Sequence, residues 1–409
     1  MKMKNGREQG ISRIVYLEPP WKVHAAQHRL VNFPPDGYEF VTRETPQEKI
    51  FGVATRWDLP RLLLRSSDFS LPTGLVKSLL ERWNKPPSGS LLTYAVDHLI
   101  LRPEPWVMEL EFASLVAGRH PRHIRRFRRI VQRYLNSSYC KRVLCTSEAA
   151  RRTILDNLDS RSFQHKVEVV HYTVPPQSFT KAYRNNKVKM LFVGADILKS
   201  SQEAFEYKGG REVLETFAQL RQQFGNLEMM VRAKPPPDVA ERYAGMEGLR
   251  ILDKYIPHEE LKWEYLSADI FILPSHTTIP STLLEAMSFE LPVVTVDSWA
   301  NAEYIEDNMT GLVVPRSRRL PYYYANTSQP NFGTREYNKA TQQTDPEVIA
   351  SLVKSVRCLI ENPDLRRRLG RAGRWEIEKG RFSLTRINEK LGRIFDEAIG
   401  EGRQNNRFE

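Results

Sequence analysis

A chain of 409 residues exceeds what one ordinary hydrophobic core organises and points to two domains of roughly 150–200 residues each. It has 41% hydrophobic and 27% charged residues, and no apolar run reaches the roughly 18–20 residues that span a bilayer, so a globular protein is expected. The net charge of +12 favours anionic partners, and three cysteines (Cys140, Cys145, Cys358) without His or Cys partners at zinc spacing exclude a disulfide framework or a zinc knuckle.

The start, MKMKNGREQG, is basic with no apolar segment behind it, so no secretory signal is expected and a cytoplasmic location is. Apolar strand-like runs then alternate with helical patterns, which predicts α/β layers on parallel sheets. In the first half the strands are expected at Ile14–Leu17, Phe51–Thr55, Leu91–Val96, Trp106–Leu110, Arg142–Cys145 and Val167–His171. Helices are expected at Gly74–Trp83, His123–Asn136 and Ser147–Leu158. A polar, proline-marked stretch, YTVPPQSFTKAYRNNK, has no periodicity and stands where a linker belongs.

Beyond it, strands are expected at Val188–Val193, Leu227–Val231, Ile270–Leu273, Val293–Val296 and Leu312–Val314. Helices alternate with them at Gly210–Phe224, Glu259–Ser267, Ser281–Phe289 and Asn301–Glu306. Residues 316–345 break the pattern as a long polar loop containing Tyr322, Tyr323 and Tyr324, and the spacing from Pro346 onward is helical. The expected layout is an N-terminal domain over 1–175, a C-terminal domain over 187–385, and a closing segment, 386–409. Each domain is doubly wound, so ligands belong at the carboxyl ends of its strands.

The densest chemistry lies in ADIFILPSHTTIPSTLLEAMSFELPVVTVDSWANAEYIEDNMTGLVVP, residues 268–315. A buried strand ends at Pro274-Ser275, and a helix starts near Ser281 with free N–H groups suited to an anion such as a diphosphate. Glu285 lies one turn in. On spacing alone Leu283, Leu284 and Met287 are core, and Glu285 fits a solvated position as well as a ribose ligand.

This segment resembles the donor-binding signature of glycosyltransferase family 4, retaining enzymes with the two-domain GT-B fold. The matching residues are Pro274-Ser275, Pro280, Leu284-Glu285-Ala286-Met287, Leu291-Pro292-Val293-Val294, Asn301-Ala302-Glu303 and Thr310-Gly311-Leu312-Val313-Val314-Pro315. The resemblance implies two Rossmann-like domains facing across a cleft, a nucleotide-sugar donor linked through UDP, GDP or ADP, and Glu285 as the ribose ligand. Thr277 occupies the place of the family's first glutamate, which approaches the transferred sugar. Its hydroxyl can replace one hydrogen bond but not a charge. Leu191-Phe192-Val193-Gly194 and Lys208-Gly209-Gly210 resemble the opening of the family's donor domain, which implies Gly194 at the donor and Lys208 on the diphosphate. Lys199, Arg232 or Lys234 is then the second cation. Asn362-Pro363-Asp364, Leu369-Gly370 and Arg381-Phe382-Ser383 resemble the closing helices, the last of which often crosses back to the first domain.

In the first domain, Pro105–Glu111 resembles a strand after which many members carry an active-site histidine. Counting places Glu111 there, as a base or hydroxyl ligand, although Glu109 and Glu111 also fit pairing with arginines. His98 is a second candidate, and a lone histidine is more often structural. No Asp-x-Asp occurs in the chain, so no metal and no cofactor are expected. Residues 119–133 hold seven arginines, with Ile124, Phe127, Val131 and Tyr134 at helical spacing. Arg122, Arg126, Arg129 and Arg133 then share a face suited to an anionic membrane, the alternatives being a solvated face or nucleic acid. Interleaved aromatics and helix-turn-helix spacing, which would favour nucleic acid, are absent. The function these signs imply is a retaining glycosyltransferase of the hexosyl class, with a glycan, lipid-linked or small-molecule acceptor. The alternatives are a catalytically silent GT-B nucleotide-sugar or membrane-binding protein, and a GT-B epimerase.

Overall fold

The computed structural model describes residues 12–18, 25–42, 72–118, 120–181, 187–194, 201–254, 257–277 and 280–405. The expected strand at Phe51–Thr55, and Lys199, lie outside these. The chain forms two compact units. One comprises Met1–Thr146, Ala150–His171 and Ile387–Glu409, the other Ser147–Ala149 and Tyr172–Arg386.

In the first unit six strands are described: β1 (Arg13–Glu18), β2 (Tyr38–Val41), β3 (Ser90–Val96), β4 (Trp106–Leu110), β5 (Cys140–Cys145) and β6 (Val167–Val169). They pair in the order β2-β1-β3-β4-β5-β6, and every pairing is parallel. The chain leaves β1 toward β2 on one side and β3 on the other, so the sheet reverses direction between β1 and β3. At such a reversal the connections diverge to opposite faces and leave a crevice at the strands' carboxyl ends. Strand β4, WVMEL, is buried at every position, as a strand covered on both faces requires.

The second unit repeats the plan with β7 (Val188–Val193), β8 (Leu227–Arg232), β9 (Leu249–Leu252), β10 (Ile270–Leu273), β11 (Val293–Val296) and β12 (Gly311–Val314). Their order is β12-β11-β10-β7-β8-β9, again with parallel pairings, so the reversal falls between β7 and β10. Helices Pro346–Glu361 and Pro363–Glu378 each place proline in the first turn, where no backbone donor is missed. Asp345 and Asn362 cap them, accepting from the backbone N–H groups of Glu347 at 3.1 Å and Leu365 at 2.9 Å.

Helix Leu384–Asn405 then returns to the first unit. Its Ile387, Leu391, Ile394, Phe395, Ala398 and Ile399 join Val15, Leu17, Phe40, Leu92 and Tyr94 in one buried cluster.

Two expectations need correction. The helix expected over His123–Asn136 is two helices, Arg122–Arg126 and Arg128–Asn136, parted at Phe127, whose φ of −105° and ψ of 14° leave the helical region. A continuous helix would set the arginines beside like charges at three- and four-residue spacing, which is destabilising. The break divides them, so Arg122, Arg126, Arg129 and Arg133 do not lie along one helix face. The loop expected over 316–345 contains helix Arg335–Ala340, capped by Thr334, whose side chain accepts from the backbone N–H of Tyr337 at 3.2 Å.

Candidate functional site

The carboxyl ends of β7 and β10 bring together the residues singled out in the second unit. Gly194 directly follows β7, is buried, and its N–H donates to the Arg232 carbonyl at 3.0 Å. Arg232 ends β8 beside Val193 and is nearly buried. Lys234, two residues on, is exposed.

Strand β10 runs into Pro274-Ser275-His276-Thr277, a segment held from several sides. Thr295 Oγ1 donates to the Leu273 carbonyl at 2.8 Å, and Asn301 Nδ2 donates to the Ser275 carbonyl at 3.3 Å. His276 Nε2 meets Glu212 Oε1 at 3.1 Å, both side chains buried. Half-buried Thr277 is fixed through its backbone, its N–H donating to Ser275 Oγ at 3.3 Å and its carbonyl accepting from that hydroxyl at 3.0 Å.

The turn carrying Lys208 is fastened to this segment. The Tyr207 carbonyl accepts from the His276 N–H at 2.8 Å and from Ser275 Oγ at 3.2 Å. Gly209 adopts φ +75°, and a Cβ there would come within 2.4 Å of the Pro274 carbonyl oxygen. Glycine therefore lets two backbones touch and lodges half-buried Lys208 against the end of β10.

Helix Arg335–Ala340 braces the same place. The Tyr337 hydroxyl donates to the His276 carbonyl, the Tyr207 hydroxyl pairs with Asn338 Oδ1, and the Tyr207 and Tyr337 rings stack at 6.0 Å. These contacts join segments 61 to 131 residues apart in sequence, and nothing in their local pattern announces them.

Helix Pro280–Ser288 follows, with Ser281 half-buried in its first turn and Leu283, Leu284 and Met287 buried as expected. Glu285 turns toward other partners. The Tyr265 hydroxyl donates to its Oε2 at 3.1 Å, and His258 Nδ1 lies 3.5 Å from its Oε1. Burial raises the Glu285 carboxyl above its ordinary range, against the opposing influence of His258, Tyr265 and Arg232. A carboxylate reluctant to ionise, with a phenol already bonded to it, is suited to exchange hydrogen bonds with neutral hydroxyls.

In the first unit the reversal between β1 and β3 holds a charged network. Glu18, the last residue of β1, is fully buried and meets His98 Nε2 at 3.2 Å and Arg102 Nη2 at 2.5 Å. Burial alone would raise the Glu18 carboxyl, but the hydrogen bonds from His98 and Arg102 outweigh it and hold the carboxyl low. His98 Nδ1 faces the Val96 carbonyl at 2.9 Å, so both ring nitrogens point at acceptors, one a carbonyl and the other the Glu18 carboxyl. Burial lowers the imidazole's proton affinity. His98 is thus a buried strut of this network.

Glu109 is also buried, accepting from the Tyr94 hydroxyl at 2.7 Å and from Gln27 Nε2 at 2.5 Å. Glu111 stands just beyond β4, half-buried, its N–H donating to Asp97 Oδ1 at 3.1 Å. Asp97, at φ +56°, carries the chain out of β3. Glu18, Arg102 and Asp97 were not singled out from sequence. The one available signal was an acidic residue closing the apolar strand RIVYLE. Among the described residues no group of three or more His, Cys, Asp or Glu gathers as a metal site would require, and no helix is long and apolar enough to cross a membrane.

A protein family described as glycosyl transferases group 1 matches residues 179–321, the stretch that holds Gly194, Lys208, Thr277 and Glu285. The amylovoran biosynthesis glycosyltransferase AmsK of Erwinia amylovora is 29% identical over 179 residues, covering 38% of this chain and 42% of its own. This chain thus matches less than half the length of that relative. Among solved structures, a glycosyltransferase from Rickettsia africae superposes with a TM-score of 0.57 at 12% identity, over 95% of this chain and 99% of its own. The Anabaena protein HepE, solved with UDP and glucose, gives 0.53 at 13% identity over 94% and 99%. The two parallel six-stranded sheets and these likenesses show a GT-B fold of two Rossmann-like domains.

Proposed function

We propose that this protein transfers a glycosyl unit from a nucleotide-diphosphate sugar to a hydroxyl acceptor, as a retaining member of glycosyltransferase family 4. The observation that carries this reading is the Lys208–Gly209 turn lodged against Pro274 at the reversal of the second sheet, with Glu285 one turn into the helix that follows. Cation, helix start and hydroxyl-binding carboxyl then stand where a diphosphate and its ribose would lie. Glu285 grips the ribose hydroxyls, and Lys208 with Arg232 offsets the charge that develops on the departing nucleoside diphosphate. Gly194, its N–H bonded to the Arg232 carbonyl, holds the end of β7 beside that arginine, Ser281 brings the N–H groups of its helix start to the phosphates, and Thr277 offers its hydroxyl to the transferred sugar. No metal is needed in this scheme, because the two cations take its role. Glu111, at the carboxyl end of the first unit's sheet, serves as the base or hydroxyl ligand on the acceptor side.

The acceptor class, glycan or lipid-linked, follows AmsK's role in amylovoran biosynthesis, and the exposed arginines of 122–133 would hold the enzyme on the inner face of an anionic membrane. Calorimetry with UDP, GDP and ADP tests the donor site. Charge-assisted bonds contribute about 1.5–3 kcal/mol, so Glu285→Ala and Lys208→Ala should each weaken the preferred nucleotide about ten-fold or more. Unchanged affinity in both folded variants removes the assignment. Chelator-resistant turnover is expected, and activity that needs added magnesium or manganese contradicts the metal-free scheme.

One observation favours a second reading, binding without transfer: Thr277 brings no charge to the sugar site. Nucleoside diphosphate released only with acceptor identifies a transferase. Release without acceptor identifies hydrolysis or epimerisation, and binding without turnover identifies the silent protein.

A further inference from the structure

Helix Thr73–Glu81 lies in the first unit with its polar side inward. It buries Gly74, Ser78 and Glu81. Val76, Leu79, Leu80 and, just past its end, Trp83 are 43, 49, 45 and 71% exposed. These four recur at the spacing of a single helix face, the face a globular helix normally turns to its core.

The inverted orientation is fixed by specific contacts. Ser78 Oγ donates to the Gly74 carbonyl at 2.9 Å and accepts from the Leu99 N–H at 3.1 Å. The Glu81 carbonyl accepts from Arg102 Nη1 at 2.6 Å, and Lys77 Nζ donates to the Val96 carbonyl at 3.0 Å. A Cβ at Gly74 would come within 2.2 Å of the Leu115 carbonyl oxygen, so no larger residue fits on that side. Turning the helix over would strand these buried polar groups, and the apolar stripe therefore stays outside.

Exposed cations stand beside this stripe. Arg82 and Lys85, both exposed, flank Trp83. The helix's first turn abuts the arginine-rich region, since a Cβ at Gly118 would touch His123 Nδ1 at 2.5 Å and Pro72 Cα at 3.0 Å. In that region Arg125, Arg126, Arg128, Arg129 and Arg133 are exposed, residues 122–136 contain no acidic side chain, and Ile130 is 45% exposed.

We propose that helix Thr73–Glu81 with Trp83 is a membrane-insertion element, its stripe entering the headgroup region of an anionic bilayer while the neighbouring arginines hold lipid phosphates. This rests on the anionic-membrane partner proposed above and adds the apolar half of the surface. An amphipathic helix binds an interface through buried apolar area together with attraction to anionic lipid, and tryptophan favours the headgroup level. Nucleic acid would use the arginines and leave four large apolar side chains in water.

The test uses Leu80→Cys in a Cys358→Ser background, because Cys140 and Cys145 are buried and Cys358 is the exposed thiol. An environment-sensitive dye on Cys at this site should shift to the blue on phosphatidylcholine vesicles containing phosphatidylglycerol, and not on phosphatidylcholine alone. A Leu79→Ser, Leu80→Ser, Trp83→Ser variant should lose about ten-fold or more of its vesicle partitioning, with thermal unfolding unchanged. A dye that stays water-like on protein sedimenting with anionic vesicles overturns the insertion element and leaves arginine attachment standing. Wild-type protein that stays in solution at low salt overturns both. A blue dye without vesicles, with a concentration-dependent dimer in light scattering, overturns the proposal in favour of a second copy.

Discussion

Glu18 and Glu285 are carboxyl groups in different company, the first fully buried and the second half-buried. Glu18 is fully buried against His98 and Arg102, which hold its carboxyl below the ordinary range. Glu285 has a phenol and a more distant imidazole, and burial holds it above that range. The consequences for stability run in opposite directions. Glu18 contributes stability above the ordinary carboxyl value of 4.5, and this is lost as pH falls through its lowered folded value. Removing one partner of a buried pair costs about 3–5 kcal/mol, so Glu18→Gln should destabilise by that order at neutral pH, with the gap closing in acid. Glu285 behaves oppositely: the stability from its raised folded value is present below 4.5 and lost as pH rises through that value. Glu285→Gln should therefore unfold at a higher denaturant concentration than wild type near neutrality, converge with it in acid, and bind nucleoside diphosphate less tightly. Denaturant midpoints across pH check both variants, and a Glu285→Gln protein less stable than wild type at neutral pH contradicts the burial argument.

At the scale of elements, the Tyr207–Gly209 turn and the Pro274–Thr277 segment form one device, and Gly209 is its most sensitive point. Alanine at φ +75° carries a left-handed penalty of about 1–2 kcal/mol. Its Cβ would also meet a backbone oxygen that cannot swing aside. Gly209→Ala should lower stability by at least that amount and, by moving Lys208, weaken nucleoside diphosphate more than stability loss alone explains. Calorimetry on the folded fraction measures the second effect. The central strands of the second sheet were legible in the sequence because strands buried on both faces are near-continuous apolar runs, as in IFIL and MLFV. Strands β2 and β9, at sheet edges and with Glu39 or Arg250 interrupting their apolar residues, were not, although the edge strand β6, VEV, was. Periodicity found the stripe of Ile124 and Val131, which are buried, but not the break at Phe127 between them. In the candidate site, Lys208 and Glu285 lie in recognisable local motifs. Tyr265, His258 and Tyr337 reach the site only through tertiary packing, for which a linear pattern has no signal.

At the scale of the whole molecule, the last helix ties the end of the chain into the unit that begins it. Phe395 sits edge-on to Tyr38 at 5.2 Å, Phe40 at 5.9 Å and Tyr94 at 6.2 Å. Lys390 Nζ donates to the Val169 carbonyl at 2.6 Å, and Arg393 Nη2 to Glu168 Oε2 at 2.8 Å. Ile387, Leu391, Ile394, Phe395, Ala398 and Ile399 all join the first unit's core. At about 1.5–3 kcal/mol for each large apolar side chain, this burial is of the same order as the ~5–15 kcal/mol net stability of a typical domain. Ending the chain at Arg386 should therefore leave the first unit unable to fold while sparing Tyr172–Arg386, which contains the complete second sheet and the nucleotide-site candidates. The truncated protein is expected to lose one cooperative transition in calorimetry and to keep its affinity for nucleoside diphosphate. A milder variant separates packing from chain length: Phe395→Ala should cost about 3–5 kcal/mol and lower only the first unit's transition. If the truncated chain keeps both transitions, the first unit's core does not depend on this helix. If it loses nucleotide binding while the second transition persists, the nucleotide site needs residues from the first unit.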